Sequence, residues 1–363
     1  MSTIYLNGKF LKQRTTGVQR FASGILFALD KSLSEVPSKT KLVLLTPHGV
    51  PFLELKNIEQ RRCGGRRISL FLWEQVVLPF CSRDGLLINL SGSAPLFGGA
   101  CLQTIHDAAI YDHYRAYSRL FVAWYRLLFY VVSLRAKLRM TVSYFSAREL
   151  NLRIPGVKFK VLPNSAEHIS LVPSDHNVLD RVAIKQKKFL LAVGSMNPTK
   201  NIERLIRAYS SLKLNEEISL VIVGSPNSRV FSGVDISESK IPGVLFTGPI
   251  SDSELRSLYE SALAFVFPSL YEGFGIPPLE AMVCRTPVIA SNAASIPEVC
   301  GDAAYYFDPL DIEQMSSAIH RVISDSDLRL NLIKAGEHRC RQFSWSRSAE
   351  LLRSYLSDSH FMV

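Results

Sequence analysis

Two glutamates eight positions apart, Glu272 and Glu280, bracket the run Gly-Phe-Gly-Ile-Pro-Pro-Leu. Gly273 and Gly275 let the backbone come close to a ligand, and Pro277-Pro278 suit a first helical turn, where a missing N–H costs nothing. A helix N-terminus behind such a turn offers unpaired N–H groups and a positive dipole end, which together cradle phosphate. Gly-Phe-Gly alone reads better as an ordinary strand–helix turn. As a dinucleotide fingerprint it fails, because Pro278 stands at the third glycine position. Carboxylates and prolines together make the segment far more specific.

The elements around it follow from periodicity. Short apolar runs at 3–6, 41–45, 86–90, 101–105, 140–142 and 160–162 predict strands, and helical spacing appears over 18–33, 119–137 and 146–153. A second set follows, with strands over 189–193, 219–223, 244–246, 264–268 and 287–290. Its helices are expected over 201–212, 251–261, 278–283 and 311–324, with a last one over 346–356. Ser251-Asp-Ser-Glu254 has the spacing of a capping box. Strands apolar throughout and separated by helices predict buried parallel sheets, hence α/β architecture in two doubly wound domains. Polar residues 174–188 read as the linker.

The 363 residues, 47% hydrophobic and 20% charged, suffice for two such domains. Six scattered cysteines show no CxxC pair and fit thiols in a reducing cytosol. The N-terminal run enters a strand-like pattern without the features of a secretory signal. Residues 1–165 hold 23 Lys and Arg against 9 Asp and Glu, while the remainder holds 19 against 23. That asymmetry predicts an anionic partner for the N-terminal half.

Other segments carry competing meanings. Asp325-Ser-Asp327 is formally a DxD metal motif, but it precedes a helical pattern over 328–339, so helix capping explains it better. His106-Asp107, taken alone, reads as a strand-end turn. The aromatic, basic stretch 115–139 is too short and too interrupted by Arg126 to cross a membrane. It reads as a core helix, with a membrane-interface surface as the functional alternative, flanked by Arg115, Arg119, Arg135, Lys137 and Arg139. Arg61-Arg62 and Arg66-Arg67 form a second basic cluster.

In order along the chain, these motifs resemble the GT-B glycosyltransferases of family 4, also called glycosyltransferase group 1. Their E-x7-E stands here as Glu272 to Glu280. Thr16-Gly-Val-Gln-Arg20 is similar to the family's N-terminal glycine loop, and Ile105-His-Asp107 to its His-Asp pair. The segment 142–149 is similar to the motif ending its first domain, Val161-Leu-Pro-Asn164 to its interdomain segment, and 193–201 to its phosphate-binding segment.

The resemblance implies two Rossmann-like domains facing a central cleft. The acceptor-side domain is expected over 1–165 and the nucleotide-sugar domain over 166–345, with residues 346–363 packing back on the first. It implies that Glu280 binds the donor ribose and Glu272 the transferred sugar. The amides of Gly273, Phe274, Gly275 and Ile276, with Gly17, are expected to hold sugar and diphosphate. Lys200, beside Asn201, neutralises the leaving group, as a developing anion requires. His106 lies at the sugar's reacting face, Ile250 near the base, and Arg20 and Asp107 on the acceptor side. Catalysis thus falls to His106, Glu272 and Lys200. Thr199 and Ser195 stand where the family carries arginines, so Arg14 or Arg20 is a candidate to complete diphosphate binding.

Similar enzymes retain anomeric configuration, use no protein nucleophile and need no metal or cofactor. The expected function is therefore hexosyl transfer in the cytoplasm, GDP-mannose being the first choice of donor. The acceptor is expected to be a saccharide, carried on polyprenyl diphosphate, in surface-polysaccharide assembly, with peripheral contact to an anionic membrane and none with nucleic acid. A sugar-nucleotide epimerase and a non-catalytic binding subunit are the alternatives.

Overall fold

The computed structural model describes residues 3–35, 40–114, 117–184, 188–194, 197–214, 217–224 and 241–358. Arg115 and Ser195, singled out above, lie outside them. The chain divides into two compact units, Met1–Asn164 with Ser344–Val363, and Ser165–Phe343.

In the first unit seven parallel strands form one sheet: β1 (Thr3–Asn7), β2 (Lys41–Thr46), β3 (Glu59–Arg62), β4 (Gly85–Asn89), β5 (Cys101–Thr104), β6 (Leu138–Thr141) and β7 (Lys160–Val161). Their order is β3-β2-β1-β4-β5-β6-β7, with Ile4 paired to Leu42 on one side and Leu86 on the other. Strands β1, β2, β4 and β5 are buried at nearly every position and mostly apolar, because helices cover both faces. The sequence does not announce β3: at the sheet edge, Glu-Gln-Arg-Arg needs no apolar face.

Helix α1 (Gly17–Glu35) buries Phe21, Ile25, Leu29 and Leu33, a stripe with a spacing of four. Helix α2, over 70–81, was not anticipated. Its Pro79 has no N–H for the carbonyl four residues back, and the helix widens to a π turn over Trp73–Val77. Helices α3 (Arg119–Arg135) and α4 (Tyr144–Arg153) complete the unit's longer helices, with the C-terminal helix Trp345–Asp358. That last helix lies along α1. A Cβ added at Gly24 would come within 2.3 Å of the Trp345 ring, so glycine is what admits the indole. Arg353 donates to the Ser32 carbonyl at 3.3 Å, and the Tyr355 hydroxyl to that of Val161 at 3.0 Å.

The second unit holds six parallel strands: β8 (Lys188–Val193), β9 (Ile218–Val223), β10 (Val244–Phe246), β11 (Ala264–Phe267), β12 (Val288–Ser291) and β13 (Ala304–Phe307). Their order is β10-β9-β8-β11-β12-β13. Helices α5 (Ile202–Ser211), α6 (Asp252–Ser261), α7 (Ile276–Val283), α8 (Ile312–Ser324) and α9 (Ser326–Cys340) flank the sheet. Leu205 and Tyr209 of α5 and Met315 and Ile319 of α8 pack on Leu190, Leu220 and Val266 to form one core.

The capping box at α6 is complete, Ser251 and Glu254 each bonding the other's backbone N–H. Asp325 caps α9 by accepting from the Leu328 N–H at 2.9 Å. Among the described residues no group of three or more His, Cys, Asp or Glu is placed to hold a metal ion. The reading of 174–188 as a linker is corrected. Asn177–Arg181 is a short helix of the second unit, anchored by the buried Val178 and by the Asp175 N–H to the Ser253 carbonyl at 3.1 Å.

Candidate active site

In the second unit the predicted residues gather at the carboxyl ends of β8 and β11. These neighbours run to helices on opposite sides, the switch point where doubly wound sheets bind ligands. Past β8, Asn197 caps a single turn, Pro198–Lys200, which delivers Lys200. Its ammonium pairs with the Glu272 carboxylate at 2.6 Å, so these two expected site residues meet directly. The Leu270 N–H donates to the Thr199 carbonyl at 2.7 Å, tying their two loops together.

Gly275 caps α7 at φ 99° and ψ 66°, a left-handed conformation that residues with a Cβ resist. Pro277 and Pro278 carry no N–H, so in the α7 first turn it is the Ile276 N–H that lacks an intrahelical partner, directly after Phe274 and Gly275. Ser295, which the sequence did not flag, fixes this loop by donating to the carbonyls of Glu272 and Phe274, both at 2.9 Å.

Glu280 sits one turn further along α7 and is 5% exposed. Its carboxylate accepts from the Tyr259 hydroxyl at 2.9 Å and from His168 Nε2 at 2.8 Å. Each oxygen keeps further acceptor capacity. His168 and Tyr259 carry no spacing signal; only the fold brings them to Glu280.

The Asn201 side chain is tied into the fold. Its amide donates to the Pro268 and Pro309 carbonyls at 3.1 and 2.7 Å, and its oxygen accepts from Arg204. Buried, with both amide hydrogens used, it staples these loops together. Ile250 lies half-buried in the loop before α6.

In the first unit, His106, Asp107 and the Thr16–Gln19 turn line a cavity of about 460 Å³ at the ends of β4 and β5. Gly17 opens α1 beside it, and Arg20 follows on α1's first turn, its N–H bonded to the Thr16 carbonyl at 2.9 Å. Asp107 accepts from the Ala109 N–H at 2.8 Å. His106 Nε2 faces the Leu90 carbonyl at 2.9 Å, and its ring meets Phe21 edge-on at 5.0 Å. Burial holds its pKa down at about 4, against the smaller opposing effect of the Leu90 carbonyl. The imidazole is therefore neutral at physiological pH, with Nε2 donating.

Two features of this cavity are not legible as motifs. One is an aromatic ladder, Tyr117, Phe121, Tyr125 and Phe129, with successive centroids 5.3, 4.4 and 5.6 Å apart. The other is a buried polar cluster behind Ser93. Lys9 pairs with Glu74 at 2.7 Å, and Ser93 donates to Glu74 at 2.7 Å and accepts from Lys9 at 3.1 Å. A charge inside an apolar helix was the available signal for Glu74, but its partners are 65 and 19 residues away.

The basic residues around α3 are mostly occupied with holding the fold. Arg135 donates to the carbonyls of Pro95 and Gly98, Arg139 to that of Ser133, and Arg126 to those of Ile110 and Tyr111. These carbonyl contacts fix where the Arg135 and Arg139 guanidinium groups lie and leave their charge uncancelled.

Residues 178–339 match the model of the family described as glycosyl transferases group 1. The chain is 30% identical over 298 residues to the O-antigen chain mannosyltransferase RfbU of Salmonella typhimurium, covering 80% of this chain and 78% of that protein. It is 33% identical over 220 residues to O-antigen chain mannosyltransferase B of Escherichia coli, covering 58% of each. The sucrose-phosphate synthase of Thermosynechococcus elongatus superposes with a TM-score of 0.74 at 18% identity, covering 99% of both chains. Two parallel-sheet α/β units of this kind make the fold GT-B. The chain belongs to the glycosyl transferases group 1 family.

Proposed function

We propose that the chain is a retaining, metal-independent hexosyltransferase that moves mannose from GDP-mannose to a saccharide of a surface polysaccharide. The observation that carries the reading is the meeting of Lys200, Glu272 and the α7 N-terminus at the β8/β11 switch point. Breaking a sugar–phosphate bond leaves a diphosphate anion and an oxocarbenium-like sugar. The ammonium and the backbone N–H groups of Phe274, Gly275 and Ile276 favour the anion, and Glu272 steadies the sugar. Neutral His106 accepts a hydrogen bond from a sugar hydroxyl and gives no proton. The mannose choice rests on the O-antigen relatives.

Incubation with GDP-mannose alone and with acceptor tests the activity. Acceptor-dependent release of GDP supports transfer; a C2-epimer formed without acceptor supports an epimerase, and no turnover supports a binding subunit. In the same assay Glu280→Ala is expected to weaken donor binding by about 1–3 kcal/mol, as ribose hydroxyls lose their acceptor. An unchanged nucleotide Kd in the folded variant removes the ribose assignment.

A second reading, cytoplasmic action at an anionic membrane on a polyprenyl-diphosphate acceptor, is favoured by the outer faces of α2 and α3. Leu72, Val76 and Phe80 recur every four residues and Leu120, Leu127 and Leu134 every seven, all about half exposed or more. Phe71 packs on Trp124 at 5.3 Å, so the two stripes adjoin. Among the described residues no helix is long and apolar enough to cross a membrane. Flotation with phosphatidylglycerol vesicles is expected for the wild type and reduced for Leu72→Ser with Phe80→Ser. Equal flotation of both removes this surface as the contact.

A further inference from the structure

A second cavity of the first unit, of about 540 Å³, opens at the carboxyl ends of β1, β2 and β3. It shares the sheet edge with the cavity of His106 but none of its lining residues. Lys12, Arg62, Arg66 and His48 line it, together with the loop after β2, and no Asp or Glu does.

The charges there are positioned without being neutralised. Lys12 Nζ donates to the His48 carbonyl at 2.8 Å, and Arg62 Nη2 to the Val50 carbonyl at 2.8 Å. The Arg62 guanidinium also lies over the Phe52 ring at 4.2 Å, which fixes its plane. Arg66 has no hydrogen bond or ion pair among the described residues. Lys41 and Arg61, by contrast, both pair with Glu59. Carbonyls orient a cation but cancel none of its charge. A concave surface carrying three such cations gathers phosphate oxygens, arginine by its fork and lysine as a point charge.

We propose that this cavity is a subsite for the phosphate or diphosphate group of the acceptor. The proposal rests on the acceptor-side reading of the first unit. The same chemistry would also hold an anionic lipid headgroup.

The test uses the full chain carrying Lys200→Ala, which blunts the other phosphate-facing cation. Geranyl diphosphate binding is measured by calorimetry, and phosphatidylglycerol vesicle binding by flotation, with and without Lys12→Gln or Arg66→Gln. Both side chains are exposed, so the variants are expected to fold. Each lost cation should weaken diphosphate binding by about tenfold. If only vesicle binding falls, the subsite reads lipid headgroups; if neither falls, the proposal is overturned. Nucleotide binding to the same variants, with Lys200 restored, reports separately on the donor site. Failure there leaves the subsite result standing.

Discussion

Lys200→Ala lowers the turnover number by about 10²–10³-fold while changing donor affinity far less, since its charge matters most as the diphosphate departs. Its position is fixed by local contacts. Asn197 caps the turn that presents Lys200, the Thr199 carbonyl holds that turn to the Glu272 loop, and Glu272 takes the ammonium at 2.6 Å. Removing the lysine leaves the Glu272 carboxylate without its ion-pair partner, and in the proposed reaction that bare charge would repel the leaving group. Lys200→Arg, which keeps the charge with a different shape, should recover part of the rate. Steady-state kinetics with separate kcat and KM check this. Turnover equal to the wild type means the leaving group is stabilised elsewhere.

The first unit loses stability on acidification because of His106. Its pKa is about 4 in the folded protein against an ordinary 6.5. Between those values the unfolded chain binds a proton that the folded unit refuses. Stability is therefore whole above pH 6.5, falls as the pH drops, and levels off below about 4. At about 1.4 kcal/mol per pH unit, the loss amounts to about 3 kcal/mol. All three tryptophans, Trp73, Trp124 and Trp345, lie in the first unit, so indole fluorescence reports its unfolding alone. Urea melts at pH 7 and pH 4 should show the wild type losing about 3 kcal/mol more than His106→Gln, whose amide does not titrate. Parallel losses mean the imidazole charges without penalty.

What the sequence reveals and what it hides follow from physics. Buried strands must be apolar throughout, so β1, β2, β4, β8 and β11 stand out, and alternation with helices gives two parallel sheets. Edge strand β3 can be polar and carries no such mark, and α2 hides behind Pro79 and Glu74. Glu272 and Glu280 are legible because their spacing is local and their surroundings unusual. His168, Tyr259 and Ser295 are not, since each reaches the site across the fold. Asn201 shows a further limit: the motif locates the residue, but only the structure shows its amide turned inward to two carbonyls. Lys12 and Arg62, in the same way, become a cavity only when β1, β2 and β3 align their ends.

In the proposed function the second unit binds a nucleotide sugar through Lys200, Glu272, Glu280 and the α7 N-terminus. Differential scanning calorimetry of the full chain against GDP, UDP, dTDP and ADP tests it most directly, because a ligand bound only to the folded state raises its melting temperature. A rise is expected with one nucleoside diphosphate, GDP first, carried by the transition that tryptophan fluorescence does not follow, and smaller in Glu280→Ala. No rise with any of the four, in a sample that melts cooperatively, would contradict it.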